Sequence, residues 1–326
     1  MPTYTKLESG SWRVQVRRKR QYVANTFIRR RDAEEWAIEA ERSIDRGTPV
    51  RRFKSQQQPR IFSDLIALHL DDLAEVGKPG AACISALEEG RLCFAYQPVC
   101  SSNRPDEILY WECLLHIAGS EPASKAMGAA ISILERTELI RGVHHWVVSR
   151  AIDELLKEPQ ICLGCNISAR SAVLDAQWLP IIAKAARHPH VARRLILEVT
   201  VTTPLPDHDE TQGFIRTLQA LGCRIAVDDV GARSEDRYTL VSAGPDFIKL
   251  DARILHAARL DREGRSHLSE VVSVAARLSK AVIALGCETP EDLRIARLAG
   301  VAWIQGGLLG SPAISRDRIQ RADDDG

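Results

Sequence analysis

Apolar and polar positions change period several times along this chain, and each change marks an element. From Trp12 to Lys19, WRVQVRRK alternates apolar and polar residues, and RQYVANTF follows as a strand able to pair with it in a hairpin. In RDAEEWAIEAERSIDRG the apolar residues Ala33, Trp36, Ala37, Ala40 and Ile44 fall at helical spacing, and Gly47 and Pro49 stop the helix. This order predicts a small α+β unit with arginines, interleaved with Trp12, Tyr22 and Phe27, on one sheet face and the helix on the other. VRRFKSQQQPR is polar and basic and reads as a linker. Residues 61–76, IFSDLIALHLDDLAEV, read as one amphipathic helix ended by Gly77 and Pro79.

From about residue 90 the pattern becomes a repeated alternation of short apolar runs with helical stretches. The strands predicted are 94–99, 108–115, 161–167, 194–199, 224–229, 247–251, 281–286 and 302–306, with helices such as DETQGFIRTLQALG between most of them. Eight buried-type strands with helical connections predict an α/β fold, a (β/α)8 TIM-like barrel, with an open doubly wound sheet as the alternative. The expected organisation is a small domain over 1–48, a linker and helix over 49–83, a barrel over 84–318 and an acidic tail over 319–326.

Charge sharpens this division. The overall formal charge is +1, yet residues 1–60 carry fifteen Lys and Arg against seven Asp and Glu, a net +8 that leaves −7 for the remainder. Such asymmetry suggests a polyanion-facing module joined to a body of different purpose. No apolar run approaches the ~20 residues that span a bilayer, and MPTYTKLESG lacks the apolar core of a signal peptide, so a cytoplasmic protein without membrane partners is expected. The eight cysteines lie in apolar runs and read as buried small hydrophobes; Cys162 and Cys165, three apart in a strand, point to opposite faces.

In a barrel of this type the functional groups lie at the carboxyl ends of the strands. There the sequence places Glu112, Asn166, Glu198, Asp228, Asp229, Lys249, Asp251 and Gln305. Oxygen donors converging on one face suit a hard cation such as Mg²⁺ or Mn²⁺, and a lysine in the same ring can hold a water or a phosphate oxygen.

The series YQPV at 96, WECLLH at 111, CNIS at 165, LEVT at 197, VDDVG at 227, FIKLD at 247, GCET at 286 and IQGGLLGSP at 304 resembles the EAL domain, a barrel family that hydrolyses cyclic di-GMP to linear pGpG. The resemblance covers about residues 84–315. It implies a site with one or two Mg²⁺ or Mn²⁺ ions, in which two metals about 3.5–4 Å apart clamp the attacking and leaving oxygens. It implies Glu112, Asn166, Glu198 and Asp228 as ligands of the first metal, with Asp228 bridging to the second. Asp229 would bind the second metal and Lys249 would sit beside the nucleophilic water. Gln97, Leu114 and Gln305 are implied as contacts to the dinucleotide.

Several positions depart from the family pattern. EALLR becomes Glu112-Cys-Leu-Leu-His116, which replaces a guanidinium fork by a mostly neutral imidazole. LEITE ends here in Val201, and DDFGTGYSS becomes DDVGARSED, with Arg233, Glu235 and Asp236. AEGVET becomes Ala284-Leu285-Gly-Cys-Glu288-Thr289, so Leu285 stands where a glutamate serving the second metal is expected. Leucine neither ligates a cation nor accepts a proton. These changes point to an impaired enzyme that acts as a cyclic di-GMP receptor or protein-interaction regulator; an active phosphodiesterase is the alternative.

Residues 10–47 also resemble the arm-type DNA-binding domain of phage-type tyrosine recombinases, a three-stranded sheet plus helix, and FSDLIALHLDDLAEVGKP resembles the helix opening the next domain of those enzymes. The likeness implies DNA as a partner, with Arg13, Arg17, Arg18, Lys19 and Arg20 on phosphates and Tyr22 or Gln15 reaching base edges. A protein partner and a homodimer are compatible with the same reading.

Overall fold

The computed structural model describes residues 2–6, 12–19, 21–27, 30–46, 73–120, 125–136, 139–200, 207–231 and 240–316. Expectations resting on Arg20, Val201, Arg233, Glu235, Asp236, the helix before residue 73 and the tail 319–326 lie outside these residues, as does the Phe27 side chain. The chain divides into two compact units, Met1–Ile61 and Phe62–Gly326.

In the first unit, β1 (Thr3–Lys6), β2 (Trp12–Arg18) and β3 (Gln21–Phe27) form an antiparallel sheet in that order, followed by α1 (Arg30–Arg46). Val14, Val16 and Val23 alternate onto one face and pack against Ala33, Trp36, Ala37, Ala40 and Ile44 of α1. Two expectations need correcting. Trp12 shares the parity of Val14 and Val16, so it packs against this core, with the Arg30 guanidinium 5.3 Å from its ring centroid, instead of joining the arginine face. Arg18 has the same parity and reaches α1, donating to Asp45 at 2.8 Å, while Lys19 donates to the Asp45 carbonyl at 2.9 Å. Neighbouring carboxylates on the unit's own helix capture both cations. The open sheet face presents Arg13, Gln15 and Arg17 beside Tyr22, with Arg17 5.2 Å from the Tyr22 ring centroid.

The second unit opens with α2 (Leu73–Glu88), which runs through Gly77 and Pro79 where the sequence predicted a stop. Proline lacks the N–H for a helical hydrogen bond. Burial of Cys83, Ile84, Ala86 and Leu87 in the main core holds the helix across that gap. Eight strands then close a barrel: β4 (Leu92–Ser101), β5 (Ile108–Ile117), β6 (Leu163–Ser168), β7 (Leu195–Thr200), β8 (Arg224–Val230), β9 (Phe247–Leu250), β10 (Ala281–Leu285) and β11 (Trp303–Gln305). They neighbour one another in chain order, and β11 returns to β4. β4 is antiparallel to β5 and β11, whereas the other pairs are parallel. The short β4–β5 link explains the inversion, because a parallel pair needs a crossover of a dozen or more residues.

Strand alternation separates two apolar layers. Val99, Tyr110, Ile196, Ala226, Phe247 and Ile283 form a cluster inside the barrel. Residues of opposite parity, such as Cys165, Leu197 and Val227, face the surrounding helices, which include α3 (Lys125–Leu134) and α4 (Leu139–Lys157). Cys162 joins the inner layer and Cys165 the outer, as their spacing requires, and none of the eight cysteines is in a disulfide. No helix among the described residues is long and apolar enough to cross a membrane.

Candidate active site at the carboxyl ends of the barrel strands

One step above the inner apolar cluster, the inward positions turn polar. Glu112 pairs in register with Gln97 on one side and Gly164 on the other; Asn166 pairs with Glu198, Glu198 with Ala226, and Leu285 with Gln305. Strand register therefore fixes Glu112, Asn166, Glu198, Asp228, Lys249 and Gln305 around one mouth. Gly164 leaves room at its centre: a Cβ there would stand 2.3 Å from Glu198 Oε1 and 2.6 Å from the Tyr110 ring.

Lys249 is the hub, with 1 % of its surface exposed. Its Nζ donates to Glu112 Oε2 at 2.9 Å and to Glu198 Oε2, and lies 3.9 Å from Asp228 Oδ1. Asn166 Nδ2 donates to Glu112 Oε1, and Gln305 Nε2 donates to Glu112 Oε2 at 2.6 Å and to Gln97 Oε1 at 3.3 Å. Gln97 Nε2 in turn donates to the Gly310 carbonyl at 3.1 Å. These are residues that the sequence placed at the strand ends, where it expected Lys249 beside a water or a phosphate oxygen. Here the ammonium is committed to carboxylates, because a fully buried cation needs charged partners.

The charges resolve unevenly. Burial acts to raise the Glu112 pKa, but Lys249 and the donors Gln305 and Asn166 outweigh it and hold the carboxyl below its ordinary value. Burial, aided by the Glu112 charge, pushes Glu198 up to about 8. Asp228 rises to about 6, chiefly through burial. Burial acts to lower Lys249, but Glu112, Glu198 and Asp228 outweigh it and carry its pKa well above the ordinary lysine value. Tyr110, which the sequence reading did not single out, lies buried beside Glu198; its parity with Glu112 in ILYWE was the available signal.

The remaining predicted residues divide. Asp229 follows Asp228 where the β8–β9 register shifts, and adopts φ 54°, a left-handed conformation that aspartate tolerates better than most residues. Asp251 caps α8 (Ala252–Leu260), accepting from the Arg253 N–H at 2.8 Å, so a helix end accounts for its acid. Leu285 belongs to the inner apolar layer next to Gln305. Glu288 accepts from the Gly307 N–H at 3.2 Å, tying two loops together. Leu114 and the buried His116 line a cavity beside the mouth.

Glu198 Oε1 and Asp228 Oδ1 are buried and accept no hydrogen bond among the described residues. With Glu112 and Asn166 they offer the oxygen chemistry of one hard cation. Leu285, next to Gln305, offers no oxygen donor. Among the described residues no group of three or more His, Cys, Asp or Glu side chains is gathered as a ready metal cluster, and Lys249 supplies the positive charge at the centre.

The EAL domain family profile matches residues 82–312. The bifunctional diguanylate cyclase/cyclic di-GMP phosphodiesterase MucR of Pseudomonas aeruginosa is 26 % identical over 237 residues, covering 70 % of this chain and 34 % of the relative. Cyclic di-GMP phosphodiesterase PdeF of Escherichia coli is 24 % identical over 232 residues, covering 70 % and 30 %. The chain thus spans about a third of the length of these curated relatives. Among solved structures, the MucR phosphodiesterase in complex with c-di-GMP superposes with a TM-score of 0.61 at 25 % identity, covering 75 % of this chain and 96 % of that one. The Xanthomonas citri FimX EAL domain in complex with c-di-GMP gives 0.60 at 22 % identity, covering 79 % and 98 %, a likeness of fold. The match over most of the chain, on a closed barrel with this polar mouth, places the protein in the EAL domain family.

Proposed function

We propose that the barrel is a cyclic di-GMP receptor with little or no phosphodiesterase turnover. The observation that carries this reading is Leu285, an inward-facing leucine beside Gln305 at the level of the acidic mouth. A two-ion hydrolytic site needs a carboxylate there to hold the second cation and to take a proton, and leucine does neither. Glu288 stands three positions on from Leu285, in the loop that its Oε2 ties to the Gly307 N–H. Glu112, Asn166, Glu198 and Asp228 would hold a single Mg²⁺ or Mn²⁺ ion. Bound there, such an ion supplies Lewis-acid polarisation of a phosphate oxygen. The protein residues contribute binding and orientation: Gln97 and Gln305 fix the rim, and Lys249 neutralises the carboxylates that would otherwise repel an anionic ligand.

The test measures binding and turnover separately. Calorimetry with cyclic di-GMP should show binding, while pGpG formation in Mn²⁺ should stay near background. Leu285→Glu combined with His116→Arg should raise the rate by about 10²-fold or more, the scale of general-base assistance. A parent rate already equal to that of the double variant would establish the active-phosphodiesterase alternative. Absence of binding heat at high ligand would leave a protein-interaction role.

For the first unit we infer a polyanion-binding surface, with DNA as the expected partner. Arg13, Gln15, Arg17 and Tyr22 on the sheet face opposite α1 support it. Arg18 and Lys19, engaged by α1, contribute less. Mobility shifts at two salt concentrations should weaken steeply with salt and with Arg17→Ala. Binding unchanged by Arg17→Ala would remove this face from consideration.

A further inference from the structure

Tyr110 is an exception in the inner apolar layer. Val99, Ile196, Ala226, Phe247 and Ile283 around it carry no polar side-chain atom, whereas Tyr110 brings a hydroxyl to the floor of the mouth. Its ring packs at a tilt on Phe247, with centroids 6.1 Å apart, and 1 % of the residue is exposed. Tyr110 precedes Glu112 by two positions on β5, so both side chains point into the barrel, Tyr110 below Glu112. The neighbouring strand makes room for it. Gly164 of β6 pairs with Glu112, and a Cβ there would stand 2.6 Å from Tyr110 Cε2 and 2.3 Å from Glu198 Oε1. The phenol ring and the Glu198 carboxylate therefore meet across this glycine.

Tyr110 Oη and Glu198 Oε1 are both buried without a hydrogen-bond partner among the described residues. Of the charges around that hydroxyl, Glu198 acts on it most strongly, ahead of Lys249 and Glu112. Lys249 holds the other oxygen of Glu198, Oε2, and leaves Oε1 open. A ring that only filled space could be a phenylalanine, like the adjacent Phe247, and a buried hydroxyl without a hydrogen bond costs stability. The position suits a different task. A carboxylate that ligates a cation is oriented by a donor behind it, and such donors set metal affinity. Each carboxylate oxygen has two lone pairs, so Oε1 can take a hydrogen bond and a cation together.

We propose that Tyr110 is a positioning residue for the cation site: its hydroxyl donates to Glu198 Oε1 and fixes that carboxylate in the orientation in which Glu112, Asn166, Glu198 and Asp228 hold one Mg²⁺ or Mn²⁺ ion. The bond forms as Glu198 turns toward the ion, and Tyr110 acts through Glu198 without touching the ion itself. This inference rests on the single-cation reading above and does not depend on cyclic di-GMP binding.

Mn²⁺ alone is the probe. Titrated into the full chain and followed by electron paramagnetic resonance, it should lose its free-ion signal with one ion bound per chain. Tyr110→Phe removes one oxygen and keeps the ring beside Gly164. It should weaken Mn²⁺ binding by about 10- to 100-fold, the range for donors behind a metal ligand. Its urea midpoint in a chelator should be no lower than the parent's, because the hydroxyl removed has no hydrogen bond to lose. Tyr96→Phe is the control. Tyr96 lies in the outer layer, where its hydroxyl donates to Glu154 of α4 at 2.6 Å, so its removal should lower the midpoint and leave Mn²⁺ affinity as it was. Unchanged Mn²⁺ affinity in Tyr110→Phe overturns the proposal. So does equal weakening in both variants, which would trace the loss to a loosened barrel. A parent that binds no Mn²⁺ overturns it together with the single-cation reading. Calorimetry with cyclic di-GMP in a chelator tests the receptor reading apart from either.

Discussion

Glu198, with a folded pKa of about 8 against 4.5 for the free group, and Asp228, at about 6 against 3.8, hold protons in the native state that they lose in the unfolded chain. The native state therefore binds more protons through these two groups as pH rises from about 4 to about 8, and their contribution to stability falls across that window. Urea unfolding in the presence of a chelator should show this decline, and Glu198→Gln should flatten it between about pH 5 and 8. An unchanged slope in that variant would show that Glu198 is not the group taking up the proton. Gly164→Ala is a second residue-scale test, because its Cβ would fall 2.3 Å from Glu198 Oε1 and 2.6 Å from Tyr110. An overpacked site of this kind should lose about 1–3 kcal/mol, measured by chemical denaturation. The polar residues of the mouth were legible in the sequence because each ends a strand. Their charge states were not: burial and the distance to Lys249 set them, and both depend on strands far apart in the chain.

Among the elements, α10 (Pro290–Leu298) holds the loop after β10. Thr289 and Asp292 form a reciprocal capping box, and Asp292, fully buried, also accepts from the Glu288 N–H at 2.9 Å and from Arg259. Thr289→Ala should cost about 1 kcal/mol, the worth of a helix N-cap. Asp292→Ala should cost more, toward about 3 kcal/mol, because it also strands the Arg259 guanidinium. Equal losses in the two variants would show that the Arg259 pair adds nothing to the cap. The strands themselves could be read from the chain, because short apolar runs between turn residues have few other folds open to them. Helix α2 was misread because Gly77 and Pro79 are local stop signals, while the burial that carries the helix past them comes from distant residues. Trp12 and Arg18 were placed on the wrong face for a simpler reason: counted by twos, they fall with Val14 and Val16.

Across the whole molecule, the two units have separate cores, one built from Val14, Val16, Val23 and α1, the other from the barrel and its helices. A chain beginning at Phe62 should therefore retain both the binding heat for cyclic di-GMP and the unfolding midpoint of the barrel; loss of either would show that the first unit supports the second. By itself the sequence determined the order and type of the barrel strands, the family and the membership of the acidic mouth, because hydrophobic period and residue order are local properties. Only the tertiary structure decided that Lys249 closes onto Glu112 and Glu198, that α1 captures Arg18 and Lys19, and that a cavity opens beside His116. Each of these depends on distances between residues remote in the chain, which packing sets and no local pattern encodes.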